Sequence, residues 1–294
     1  MKNLLFLLAL FFFTFSQAQY NKNAPWMKNI NVEVRAKTNN PVKFNEVVNA
    51  FNTYWETRDP NVKGSGYKPF KHWENYWKKF VNAEGTLPTS QDLWETYLST
   101  KNSANFKNFK TDESDWVPIG PFTHTNTGSW SSGHGRVNVI VKDEAIAGTY
   151  YAGAPAGGFW KSTDSGANWE TYTDNLPQIG VSGIAVDYNN PGTIYIATGD
   201  DDAGDSVSIG VMKSTDGGLN WNTTGLNAGN TPDSMNDIYI NPSNSNIVWV
   251  ATNDGVFKST NAGTTWSNNN NTQGQNIRDI KINPQDENTI YAVS

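Results

Sequence analysis

Hydrophobic positions recur at helical spacing between residues 41 and 101, whereas from 116 onward they arrive in short β-branched and aromatic bursts broken by Gly, Asn, Asp and Pro. That change of period divides the chain. Asn40-Pro41 opens a run that sets Phe44, Val47, Val48, Phe51 and Trp55 on one stripe, and Asp59-Pro60 closes it. Phe70 to Val81 carries Trp73, Tyr76, Trp77 and Phe80 on a second stripe before Gly85. A third run starts at a Thr89/Ser90 cap and holds Leu93, Trp94, Tyr97 and Leu98. Together they predict a small helical module. So many aromatics would also suit sugar binding, but stripes at three-and-four spacing are usually core.

The region from Trp116 is predicted all-β and repeats internally. Its first elements stack without gaps as Asn138-Val-Ile-Val-Lys-Asp143, Ser182-Gly-Ile-Ala-Val-Asp187, Asn236-Asp-Ile-Tyr-Ile-Asn241 and Arg278-Asp-Ile-Lys-Ile-Asn283. An aromatic column follows at Tyr151, Tyr195, Trp249 and Tyr291. The first three units then run through Gly158-Phe-Trp-Lys, Gly210-Val-Met-Lys or Gly255-Val-Phe-Lys into an eight-residue box. The boxes are Ser162-Thr-Asp-Ser-Gly-Ala-Asn-Trp169, Ser214-Thr-Asp-Gly-Gly-Leu-Asn-Trp221 and Ser259-Thr-Asn-Ala-Gly-Thr-Thr-Trp266, with their Trp residues 52 and 45 positions apart. Units of this length are blades of about four strands, because one such sheet cannot cover both its faces alone and radial stacking does so.

Composition adds a compartment and some exclusions. Met1-Lys2-Asn3, the apolar run Leu4 to Phe15 and Ser16-Gln17-Ala18 form a secretory signal over 1–18, too short for a membrane span, with the mature chain starting at Gln19 or Tyr20. No Cys follows the cut, so lipid anchoring is not expected. The absence of Cys excludes disulfides and thiol chemistry, and with 3 His any metal would need oxygen ligands. Residues 20 to 115 hold 14 Lys and Arg against 11 Asp and Glu, a net +3, while 116 to 294 hold 7 against 17, a net −10. A region that acidic repels phosphate backbones, so neither nucleic acid nor a membrane surface is an expected partner.

The box is a turn by its chemistry: a short polar side chain bonds local backbone, Gly takes the left-handed conformation and Trp packs back as a wedge. Ser162, Asp164, Gly166 and Trp169, Ser214, Asp216, Gly218 and Trp221, and Ser259, Asn261, Gly263 and Trp266 are therefore structural. Three copies at this spacing resemble the Asp-box, or BNR, repeats of sialidases, xyloglucanases and the sortilin (VPS10) family over about residues 116 to 294. The resemblance implies a hairpin between third and fourth strands, on the face away from the ligand site. The front, with Gly64-Ser-Gly-Tyr-Lys-Pro-Phe-Lys-His-Trp-Glu74, Trp116-Val-Pro-Ile-Gly-Pro121 and Gly135-Arg-Val-Asn138, looks more loosely like secreted bacterial BNR proteins. Ser294 falls partway through the fourth unit, so the natural protein is expected to continue with more blades.

Candidate chemistry lies at the opposite face. Asp200, Asp201, Asp202 and Asp205 crowd an insertion between Thr198 and Gly210; a solvated acidic turn, a calcium site and a catalytic acid, Asp200 or Asp202, all stay open. No other cofactor is expected. His134 and Arg136 precede the first unit, where Arg136 suits a carboxylate, sugar hydroxyls or pairing with the acidic loop. Asn138, Ser182, Asn236 and Arg278 share one register at the start of the innermost strands and should line the channel as polar ligand contacts. Sialidases need three Arg and a Tyr nucleophile, and this region has only Arg136 and Arg278. Xyloglucanases carry Y-A-R-T-D-I-G-G with a catalytic Asp where this chain has Tyr151-Ala-Gly-Ala-Pro-Ala-Gly-Gly158, so Pro155, which can move no proton, stands in the acid's place. The expected chain is mainly β: signal peptide 1–18, helical module 19–115, and three full blades plus a fourth incomplete one over 116–294. The expected function is binding or scaffolding toward a glycan or protein outside the cell, with a xyloglucanase-type glycoside hydrolase as the alternative.

Overall fold

A computed structural model describes residues 24–30, 41–102, 135–200 and 206–294. The expected signal segment lies outside them. The chain separates into two compact units at Leu87/Pro88.

In the first unit a 3-10 turn, Pro25–Met27, accompanies helices α1 (Phe44–Trp55) and α2 (Tyr67–Trp77). α1 starts where Glu46 turns back to accept the Lys43 N–H at 2.9 Å. α2 starts earlier than its aromatic stripe suggests, because Gly66 adopts φ 78° and lets the chain swing into the helix one residue on. It also ends earlier, at Trp77, leaving Tyr76 and Phe80 about half exposed. Phe44, Val47 and Phe51 of the first stripe and Phe70, Trp73 and Trp77 of the second form the core. Phe51 and Phe70 stack at 3.8 Å between ring centres, and Trp26 sits edge-on to both.

Helix α3 (Ser90–Asn102) belongs to the second unit, whereas the sequence grouped it with the first two. Thr89 and Asp92 cap it reciprocally, the Asp92 carboxylate taking the Thr89 N–H at 2.7 Å. Trp94 gives the physical reason for the assignment: it packs on the apolar cluster between the first two sheets.

Three four-stranded antiparallel meanders and a hairpin follow. The first sheet is β1 (Val139–Lys142), β2 (Tyr150–Ala154), β3 (Gly158–Ser162) and β4 (Glu170–Thr171). The second is β5 (Val181–Val186), β6 (Ile194–Thr198), β7 (Gly210–Ser214) and β8 (Asn222–Asn227). The third is β9 (Met235–Ile240), β10 (Val248–Thr252), β11 (Gly255–Ser259) and β12 (Ser267–Asn268), and the hairpin is β13 (Asp279–Asn283) with β14 (Asp286–Val293). Each first strand lies against the next sheet's first strand, so these strands are innermost and the sheets are blades of a partial β-propeller.

Both faces of the middle blades are covered, which is why their second strands are buried at every position yet still alternate. Ile194 and Ile196 of β6 join the cluster toward blade one, and Tyr195 and Ala197 join the cluster toward blade three. β10 repeats this, with Val248 and Val250 facing back and Trp249 and Ala251 facing the hairpin. At the two ends of the row apolar positions on β1 and β14 are open. Ile140 is 65% and Tyr291 61% exposed.

The eight-residue corners link β3 to β4 and its equivalents. Ser162 Oγ accepts the Gly166 N–H at 2.9 Å and donates to Asp164 at 2.8 Å, while Asp164 Oδ1 accepts the Asn168 N–H at 2.8 Å. Ser214, Asp216 and Gly218, and Ser259, Asn261 and Gly263, repeat the pattern with Asn220 and Thr265 as the backbone donors. The Asn168 backbone and side-chain amides hold Asp164 at about 2, and the Asn220 side-chain and backbone amides hold Asp216 at about 2. Trp169 and Trp266 each donate Nε1 to the corner glycine carbonyl at 3.0 Å. Trp221 departs from them: its ring lies edge-to-face on Phe159 and its buried Nε1 finds no partner among the described residues.

Corners also join neighbouring blades. Lys161 donates to the Gly217 carbonyl of the next corner at 3.0 Å, Lys213 to that of Ala262 at 3.4 Å, and the Tyr195 hydroxyl also reaches Ala262 O at 3.0 Å. The fourth corner position has positive φ: 64° at Ser165, 75° at Gly217 and 54° at Ala262. Ser165→Gly and Ala262→Gly should therefore stabilise, each by about 0.5–1 kcal/mol, since glycine enters this conformation without strain. Urea midpoints at constant slope would measure it, and a drop in either variant would count against the strain.

Candidate functional site

The face where the inner strands begin also carries the β2–β3, β6–β7 and β10–β11 connections, opposite the corners, because a meander alternates its turns. Gly199, at φ 90°, turns the chain out of β6, and the Asp200 N–H bonds Ser206 O at 2.8 Å, closing the neck of the acidic insertion. This directs Asp200 inward, where it is 4% exposed and ion-paired with Arg136. The Asn138 amide donates to the same carboxylate at 3.4 Å and to Val181 O at 3.1 Å. Ser206 Oγ donates to the Pro155 carbonyl at 3.2 Å and accepts from Gln178. Pro155 thus anchors the neck of the loop through its backbone.

The structure therefore brings together Arg136, Asn138 and Asp200 across blades one and two. Asp201, Asp202, Asp205 and His134 lie outside the described residues. Among the described residues no group of three or more His, Cys, Asp or Glu is placed to hold a metal ion. Of the other register positions, Asn236 donates to Ile277 O at 2.7 Å and Asn276 Oδ1 at 3.1 Å, and Ser182 donates to Ala197 O at 3.2 Å. Arg278 immediately precedes the fourth inner strand, its N–H on Val293 O at 2.7 Å. Asn138 and Asn236 each stitch their own blade to the next.

One register step further lies a constellation that the sequence reading passed over. Asp237 on β9 meets Asp279 and Lys281 on β13. Lys281 Nζ is 2.5 Å from Asp279 Oδ1 and 3.4 Å from Asp237 Oδ2, so one ammonium lies against both carboxyl groups. Burial raises Asp237 to about 6, and the neighbouring Asp279 carboxyl adds to this. Desolvation also pushes Asp279 up, but the Lys281 ammonium outweighs it and holds that carboxylate below its ordinary value. The signal was present in Asn236-Asp-Ile and Arg278-Asp-Ile, which place an acid in the same column of adjacent units. It was read as strand periodicity alone.

A cleft of about 230 Å³ lies at the other ends of the inner strands, between Val141, Ile184, Val186, Tyr188, Ile238 and Tyr239. Tyr188 donates to Lys142 O at 3.0 Å across its rim.

No family model matches the chain. It is similar to a xyloglucanase of Paenibacillus sp, 27% identical over 188 residues covering 60% of this chain and 18% of the relative. A xyloglucanase of Hypocrea jecorina (strain QM6a) is likewise 27% identical over 149 residues, covering 46% of this chain and 18% of the relative. Among solved structures, an ancestral GH74 enzyme aligns with a TM-score of 0.45 at 23% identity, over 53% of this chain and 22% of that one. The chain thus spans about a fifth of the length of the curated relatives it matches. Its own strand order and stacked inner strands make it mainly β, a partial β-propeller with a sequence likeness to xyloglucanases.

Proposed function

We propose that this chain is an extracellular β-propeller that binds a neutral glycan on the face where its inner strands begin. The observation that carries the reading is the Arg136–Asp200 pair. The one acid of the insertion that is described is buried, ion-paired and hydrogen-bonded, and Arg136 beside it is answered by that pairing. Among the described residues this pair leaves no spare positive charge, and in a region of net −10 that suits sugar hydroxyls better than uronates or phosphates. The relatives' name supports a polysaccharide of the xyloglucan kind, and the leader over 1–18 supports export.

Hydrolysis is the second reading, favoured by the sequence likeness to two xyloglucanases. Against it, retaining and inverting glycosidases separate their carboxyls by roughly 5–9.5 Å. Asp237 and Asp279 share the Lys281 ammonium, which lies 3.4 Å from one and 2.5 Å from the other, in the place a sugar or water would need. The full chain should be retarded in gels containing xyloglucan and not in gels containing polygalacturonate, and should release no reducing ends. Replacing the pair together, Arg136→Met with Asp200→Asn, should abolish the retardation. Reducing-end release by the wild type, lost in Asp200→Ala, would overturn the binding reading in favour of the enzyme.

A further inference from the structure

We propose that the cleft at the corner end of the inner strands is a binding site for a small uncharged phenol. Three blades line it, with Val141 from the first, Ile184, Val186 and Tyr188 from the second and Ile238 and Tyr239 from the third, around about 230 Å³. An apolar cavity of roughly 150 Å³ already accepts benzene, so one substituted ring fits here. The sequence makes the room. In the column Val141, Ala185, Tyr239 and Lys281 the second blade has the smallest side chain, and Ala185 stands on the cleft wall.

The polar side chains around the cleft are already bonded within their own turns. Asp187 Oδ1 accepts the Asn189 N–H at 3.1 Å and the Ser245 hydroxyl at 2.8 Å, and its Oδ2 accepts from the Asn190 amide at 2.8 Å. Asn189 donates to Pro242 O at 2.7 Å, and Asn241 accepts the Ser243 and Asn244 N–H groups while donating to Glu287 O. Groups satisfied this way gain nothing from an ionic or polyhydroxylated ligand, which would lose its own water against the aliphatic wall. The cleft is thus chemically unlike the Arg136–Asp200 face at the opposite ends of the strands.

Two hydroxyls remain. Tyr188 donates to Lys142 O at 3.0 Å, which leaves its oxygen lone pairs as acceptors. Tyr239 makes no hydrogen bond among the described residues, and burial, then Glu287, push its hydroxyl up, so it stays a neutral donor. A ring bearing one hydroxyl matches this inventory, with aliphatic wall and tyrosine rings for its body and one donor and one acceptor for its O–H.

The test is an NMR titration of the full chain, labelled with carbon-13 at its isoleucine methyls, with p-cresol. p-Cresol should bind with a Kd of about 1 mM, roughly three- to tenfold tighter than toluene, and should move Ile184 and Ile238. Ala185→Leu fills the room and should weaken p-cresol about tenfold or more. Tyr239→Phe keeps the ring and should bring p-cresol to the level of toluene. Absence of shifts at about 10 mM, or shifts confined to other isoleucines, would overturn the proposal. So would p-cresol binding no tighter than toluene in the wild type, tighter binding of glucose or benzoate, or undiminished binding in a folded Ala185→Leu. The wild-type isoleucine shifts and the comparison with toluene give an answer even if neither variant folds.

Discussion

Gly210→Ala is expected to cost about 3–5 kcal/mol and to weaken the second blade. The residue begins β7 at φ 101°, where any side chain adds about 1–3 kcal/mol of backbone strain. A Cβ there would lie 2.3 Å from Leu226 O and 2.6 Å from Asn227 Cα, and both obstacles are backbone of the paired strand β8. Overpacking of that sort adds roughly another 1–3 kcal/mol. The glycine cannot shift away, because Thr198 Oγ1 donates to its carbonyl at 2.6 Å and its N–H bonds Ser208 Oγ at 3.0 Å. Gly135→Ala is the control, since no atom of the described residues lies within 4 Å of the added carbon. Urea unfolding should show a large fall in midpoint for the first and a change within about 0.5 kcal/mol for the second. Similar midpoints for the two would mean that the start of β7 yields more easily than its hydrogen bonds imply.

Trp249→Ala should be of similar size, about 3–5 kcal/mol. Trp249 is 2% exposed and centres the cluster with Ala251, Val256, Ile277 and Ile280. A two-stranded hairpin is marginal by itself, so β13–β14 owes its order to this cluster and should lose exchange protection first. Tyr291 occupies the same column one unit later and is 61% exposed, so Tyr291→Ala should stay within about 0.5 kcal/mol. If the two substitutions cost the same, the assignment of Trp249 to a buried joint fails.

That contrast shows what a stacked sequence reveals and what it hides. The repeat fixed which residues share a column, and period-two alternation sufficed to send Ile194 and Tyr195 to opposite faces. Corner chemistry was legible because each bond spans at most four residues, as from Ser162 to Gly166. Long-range pairings were not. Arg136 and Asp200 are 64 residues apart, and the sequence left that pairing as one option among three. Asp237 and Asp279 were missed because an acid inside a β-branched strand looks solvent-facing, and only the approach of β13 encloses it. Helix α3 was assigned by proximity along the chain, while Trp94 had its partners in the first sheets. Trp221 shows the reverse limit. An identical motif position takes a different hydrogen-bond state once Phe159 is its neighbour.

The lysine one residue before the end of the third strand and the carbonyl it grasps on the following corner occur in two successive joints, from Lys161 to Gly217 and from Lys213 to Ala262. Every such seam is thus made from one donor column and one acceptor column. A gene that gained or dropped a single period in phase would encode seams already matched on both sides, so length could drift by whole units through recombination without fresh compensating changes.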